Sequence, residues 1–415
     1  MAEPESDDIA FRSGKIRHFT PFAECFSRKE PPDLCPHQPD QQEGAVSQTW
    51  PISQTLFAIS SFTNNIQCPG ISESPIRKSH ISKQNKDDFY VDVFRPEDAE
   101  GIVMLFRSVY GESYPIRLFY DPLSITATNA DGSYYSIVAR LPTGKVIGVL
   151  HLYPSSLCKY LFEWGVGLVL KEYRNYGVLN QLAGFLHDNF VPLHTNIEEI
   201  FGESVCNHTH IQKTSIILGY VETAIEVALM PSAAYSKEHS APGRVATITS
   251  FHCCKPKHHR IYIPVAYERE LTEIYSDLND ARELVRSGKE LPRGKSTCAE
   301  MTIFNYAQVA RIAVYEAGED FRMRIADMEK EAQVHKAVVV QVGMNLAEPW
   351  VGDAINVLRE QGYFIGGALP RWFDSDGFLM QKLLCPPDFD DIVLHTDRAK
   401  WLLTIIRRDW ERTVA

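Results

Sequence analysis

The residues best suited to chemistry lie between Val169 and Leu179. The segment Val169-Leu-Lys-Glu-Tyr-Arg174-Asn175-Tyr176-Gly177-Val178-Leu179 closes an apolar strand, turns through an Arg and a Gly three positions apart, and enters a helix at once. A helix start carries unpaired N–H groups and the positive end of the dipole, so this turn is a ready anion cradle. Gly177 brings the backbone close to a phosphate without a side chain in the way, and Arg174 adds a charged donor. Glu163 sits on the strand that feeds the turn, and strand period places it on the face of Gly165 and Gly167.

Two further groups stand out. Cys206-Asn207-His208 follows a strand over 199–205. His208 has the pKa of an acid or base near neutrality, or else caps the next helix or faces solvent. Cys206 is a nucleophile or, with no base fixed beside it, a buried structural thiol. His252-Cys253-Cys254 and His258-His259 look like metal ligands. Adjacent pairs do not match zinc spacings, and Lys255 and Lys257 repel cations, so no metal is expected.

The cradle resembles motif A of the GNAT acetyltransferase superfamily, [Gln/Arg]-x-x-Gly-x-[Gly/Ala]. Arg174 and Gly177 match, and Leu179 departs by its size. The resemblance implies that Val169, Arg174, Asn175, Tyr176, Gly177, Val178 and Leu179 hold the pyrophosphate of acetyl-CoA or another acyl-CoA. It implies that Asn207 touches the cofactor arm. It also places a carboxylate eleven residues before the Arg (174 − 163 = 11), which makes Glu163 the general base, with His208 as second catalytic candidate. Otherwise Glu163 is a solvated edge charge. The implied activity is N-acyl transfer to a small-molecule or protein amine by direct attack. The competing reading is a non-catalytic acyl-CoA-binding or protein-interaction module.

The elements that must position these residues follow from periodicity. An alternating strand at Val91–Phe94 precedes a helix opened by Pro96-Glu97-Asp98, with Ile102, Val103, Phe106, Val109 and Tyr110 on its apolar face. A second helix is expected over 116–126. Strands follow at 134–141, 146–153 and 161–170, a helix at 178–190, a strand at 199–205, a helix at 209–218 and a final strand at 221–230. The order suits a GNAT-like α/β (α+β) domain over 89–231. A linker over 231–246 leads to residues 247–415, where a strand at 337–344, a helix at 350–360 and a strand at 364–369 echo the first half. The echo is either a duplication or two unrelated α/β modules. Its turn, Ala317-Gly318-Glu319-Asp320, is acidic and repels pyrophosphate. The expected architecture is therefore two GNAT-like domains, each a mixed sheet flanked by helices, with one working CoA site.

Residues 1–88 hold nine of the 24 prolines and are rich in Ser, Gln and Asp, so they read as a poorly ordered extension. The net charge of −11 argues against nucleic acid or anionic lipid as partner. No run of apolar residues reaches membrane-span length. Nine cysteines and no secretory leader point to reduced thiols in the cytoplasm. A homo-oligomer is compatible with all of this.

Overall fold

The computed structural model describes residues 88–112, 114, 116–154, 157–232 and 243–415. The expectation for the N-terminal extension, and most of the linker, therefore lies outside the described residues.

The first half runs β1 (Tyr90–Val93), α1 (Ala99–Tyr110), α2 (Pro122–Asp131), β2 (Tyr135–Arg140), β3 (Val146–Pro154), β4 (Leu161–Val169), α3 (Val178–Phe185), β5 (Glu199–Val205), α4 (His210–Ile217), β6 (Val221–Met230) and β7 (Val245–Cys253). Local chemistry explains the boundaries. Asp121 accepts from the Leu123 and Ser124 amides and Pro122 supplies the first helical φ, so α2 starts there, later than expected. Gly132, left-handed at φ +77°, ends it.

The second half runs β8 (His259–Ile263), α5 (Glu268–Tyr275), β9 (Arg282–Arg286), β10 (Cys298–Phe304), β11 (Val309–Glu316), α6 (Phe321–Val334), β12 (Val339–Asn345), α7 (Val351–Glu360), β13 (Phe364–Leu369), β14 (Gly377–Leu383) and α8 (Asp397–Val414). Strands β10 and β11 form an antiparallel hairpin.

The fold is mixed α/β, a large sheet flanked by helices. Twelve strands form one sheet in the order β1-β2-β3-β4-β5-β7-β6-β13-β14-β12-β11-β10. The first-half sheet does not end with β6, as the sequence suggested. The strand after the linker inserts between β5 and β6, antiparallel to both. The second half repeats this order and sense. β11 and β12 are parallel like β4 and β5, and β14 lies between β12 and β13 as β7 lies between β5 and β6.

The halves meet where β6 and β13 share one register pair, Gly367 with Ala224. Gly367 has φ +132°, and a Cβ there would stand 2.2 Å from the Thr223 carbonyl oxygen, so only glycine allows this approach. Side chains replace the missing ladder. Gln381 donates to the Ile225 carbonyl at 3.0 Å and accepts from the Val227 amide at 3.0 Å. Helix α8 buries Ala399, Leu402, Ile405 and Ile406 across the seam.

Beyond the seam the two half-sheets turn inward. Phe201 and Phe251 of the first half pack with Ala313, Trp372 and Leu379 of the second. Trp372, in the loop between β13 and β14, is thus a core residue.

Candidate active site

Strands β4 and β5 are paired only at their first three residues, Leu161 with Glu199, Phe162 with Ile200 and Glu163 with Phe201. They then part. The cause lies in β4 itself. Gly165 pairs with His151 and Leu168 with Val149, so Val166 and Gly167 together oppose Leu150. Val166 takes φ +50°, a left-handed conformation unusual for a β-branched residue. This bulge bends β4 away from its neighbour. It also breaks the alternation that was expected to align Glu163, Gly165 and Gly167.

Glu163 stands at the vertex where the strands diverge, and it is buried, not a solvated edge charge. Its cross-strand neighbour is Tyr153, whose ring lies 4.9 Å from that of Tyr134. Burial, and after it the charge of Glu163 and the neighbouring tyrosines, pushes the Tyr153 hydroxyl well above its ordinary pKa. Tyr114 is raised by burial and by neighbouring tyrosines, with Glu163 contributing. Beneath these rings His151 is fully buried, its Nδ1 2.9 Å from Ser136 Oγ, and burial pushes its pKa down to about 3.

The vertex faces the second half, and this the sequence reading missed. Arg311 of β11 reaches Glu226 of β6 at 2.5 Å and Gln341 of β12 at 2.6 Å, and Gln341 donates to Glu226 at 2.6 Å. Glu203 of β5 lies 3.9 Å from the same guanidinium. Burial, then repulsion from Glu226, raises the Glu203 carboxyl well above its usual range. The signal was present in the sequence: Glu203, Glu226 and Arg311 each interrupt an apolar strand, and a charge so placed needs a partner of opposite sign. Which partner, the sequence did not say.

At the far end of β4 lies the turn. Asn175 and Gly177 both take left-handed φ, +70° and +72°. Gly177 caps α3, and its carbonyl accepts the Gln181 amide at 3.0 Å. A Cβ at Gly177 would meet no protein atom within 4 Å, so the glycine serves the left-handed conformation of the turn and not packing against the rest of the chain. Arg174 donates Nε–H to the Val169 carbonyl at 3.2 Å. Leu179 leans back over β4, its Cδ1 3.2 Å from where a Gly167 Cβ would stand. Its bulk points to the strand rather than across the turn.

Asn207 and His208 sit half-buried where β5 ends, His208 5.2 Å ring to ring from His210. The second half closes over this end: the Val393 amide donates to the Cys206 carbonyl at 2.7 Å, and Gln212 bridges the carbonyls of His208 and Val393. Cys206 is a buried thiol, pushed up first by desolvation and then by Glu222, and is no nucleophile. From Phe201, which pairs with Glu163 at the vertex, β5 runs four more residues, roughly 13 Å, to its end at Val205, and His208 lies in the turn beyond, so it does not stand at the vertex with Glu163.

No family model matches the chain, and no curated protein matches it. The solved structures it resembles include N-acetyltransferases of the GNAT family. A ribosomal-protein-S5-alanine acetyltransferase from Vibrio fischeri is 13% identical over 41% of this chain and 94% of its own, with TM-score 0.33. A spermidine/spermine N-acetyltransferase from Vibrio cholerae is 13% identical over 40% of this chain and 95% of its own, with TM-score 0.32. A phosphinothricin acetyltransferase from Sinorhizobium meliloti, solved with acetyl-CoA, is 16% identical over 40% of this chain and 89% of its own, with TM-score 0.32.

Proposed function

We propose that the chain is an acyl-CoA-dependent N-acyltransferase with one working CoA site, in its first half. The observation that carries this reading is the parting of β4 from β5 immediately after Glu163, with the Arg174–Leu179 turn at the other end of the same strand. Six residues of strand (169 − 163 = 6) span roughly 20 Å, a ruler between an anion cradle and a buried carboxylate. That is the layout a long phosphopantetheine thioester needs, with its pyrophosphate on the turn and its acyl group at the vertex.

The amides of Asn175, Gly177, Val178 and Leu179 and the Arg174 side chain would hold the pyrophosphate, and Asn207 would border the arm. Glu163 would take the proton that the attacking amine sheds, and the nearby tyrosines, their hydroxyls held protonated by burial, would orient the amine. The acceptor is an amine, of a small molecule or of a protein. Buried carboxylic groups at Glu163, Glu203 and Glu226, with Arg311 bound to Glu226, favour an acceptor that arrives as an ammonium. The second half is a degenerate copy that binds no CoA, and its part in the site is to supply Arg311.

Calorimetric titration with acetyl-CoA, followed by a thiol-release assay over an amine panel, tests this. One CoA per chain and amine-dependent thiol release are expected. Binding without turnover over a broad panel would turn the reading towards an acyl-CoA-binding module, and a stoichiometry of two would remove the degenerate-copy assignment.

A further inference from the structure

At the end of the first-half sheet remote from the cradle, β5 begins and β7 ends. Glu199 and Cys253 stand side by side there as register partners. Asp280, from the loop before β9, joins them, with Cys253 Sγ donating to its Oδ1 at 3.4 Å. One ligand atom from each of the three lies within 4.8 Å of the others. Glu199 is buried, and among the described residues neither of its carboxylate oxygens meets a hydrogen-bond donor. An orphaned, buried carboxylate is expensive to leave uncompensated.

The surrounding charges do not compensate it. Arg282 serves Asp376 at 2.6 Å and Asp280 at 3.3 Å. Arg371 serves Glu198 at 2.5 Å and stands 3.8 Å from Asp280. Both guanidiniums are thus engaged by other carboxylates, and His259 bonds Asp376 at 3.1 Å.

We infer that Glu199, Cys253 and Asp280 form a binding site for a divalent cation of zinc type. A donor set of one thiolate and two carboxylates suits Zn²⁺, and a thiolate does not suit Mg²⁺ or Ca²⁺. Three protein ligands leave a fourth position for water. The ion would clasp the start of β5 and the end of β7 in the first half to the loop before β9 in the second, so its role is to fix the halves together. Binding displaces the Cys253 thiol proton to solvent, and no electron transfer is involved.

Local spacing could not find this set. The motif at 252–259 contributes only Cys253, and its other two partners come from 54 residues before (253 − 199) and 27 after (280 − 253).

The test uses the untagged full chain. Elemental analysis should find about one zinc per chain. Chelator-stripped protein should bind added Co²⁺ with a thiolate-to-cobalt absorption band. Cys253→Ser should abolish that band, Glu199→Gln should weaken Zn²⁺ binding at least ten-fold, and Cys254→Ser should change neither. Zinc loading should raise the melting temperature of the wild type, a readout that needs no variant to fold. Absence of both zinc and a cobalt band in the wild type overturns the site, as does a band that survives Cys253→Ser in a folded variant.

Discussion

Two strand pairs in this molecule occupy the same place in a repeated order and behave differently. Strands β4 and β5 hold three register pairs and then part, whereas β11 and β12 hold six, from Val309 with Val339 to Val314 with Met344. Two left-handed residues follow the bulge of β4, Asn175 and Gly177, and the turn they make is exposed. After β11 the matching turn is filled by the chain itself. The Glu319 amide donates to the Lys295 carbonyl at 3.2 Å, Gly318 donates to Thr297 Oγ1 at 3.1 Å, and Asp320 accepts from the Thr297 amide at 2.7 Å. The third residue of each leading strand is also inverted in charge, Glu163 in β4 and Arg311 in β11. A repeated topology thus supplies either an open cleft with a free helix start or a closed sheet with a satisfied one. A single bulge and a few loop residues make the difference.

The largest expected effect tests whether the halves are one unit. Arg311→Met removes the cation that faces Glu226 and Glu203 and leaves two buried carboxylates to share a proton. Breaking such a pair from one side costs about 3–5 kcal/mol, read as a single shifted transition in denaturant. A loss below about 1 kcal/mol, or two separated transitions, would break the picture of a second half that completes the first.

Next is the inverted position on the other strand. Glu163→Gln should lower kcat by about 10²-fold or more with CoA affinity unchanged, and the rate should lose its acidic limb with pH. Equal losses in CoA binding and in rate would make Glu163 a structural residue.

Acid stability should be limited by the first half. His151 is held neutral by burial at a pKa of about 3, against 6.5 when free. A histidine with a depressed pKa contributes stability that is present above pH 6.5 and lost as pH falls through 6.5 towards 3. Between pH 7 and pH 5 the loss is about 2 kcal/mol, and His151→Gln should flatten that slope in a denaturation series. Among the described residues, the second half buries no histidine to the same degree.

The smallest effect separates the two turns. Gly177→Asp points into open space and places a charge beside the cradle, so CoA affinity should fall about ten-fold, 1.4 kcal/mol, with little change in melting temperature. Gly318→Asp should do the reverse. A Cβ there would stand 1.9 Å from the Lys295 carbonyl oxygen, so stability falls while CoA affinity holds. Calorimetry beside thermal melting reads both, and a CoA effect at Gly318 would sink the contrast.

The sequence by itself determined what depends on neighbours along the chain. Strands β5 and β6 stand at the residues their patterns marked, Glu199–Val205 and Val221–Met230. Helix α3 begins at Val178, where strand, Gly and apolar stripe met. Period and turn chemistry act within a few residues, which is why these boundaries were legible. Helix α8 was legible as well, from Ala399, Leu402, Ile405 and Ile406 at helical spacing, but was not read. What only the tertiary structure decided depends on strands distant in sequence. It placed β7 between β5 and β6, bent β4 at Val166, and brought Arg311 to Glu226 across 85 positions. Hydrophobic patterning fixes which face of a strand is buried. It carries no record of which other strand supplies the charge that makes the burial tolerable.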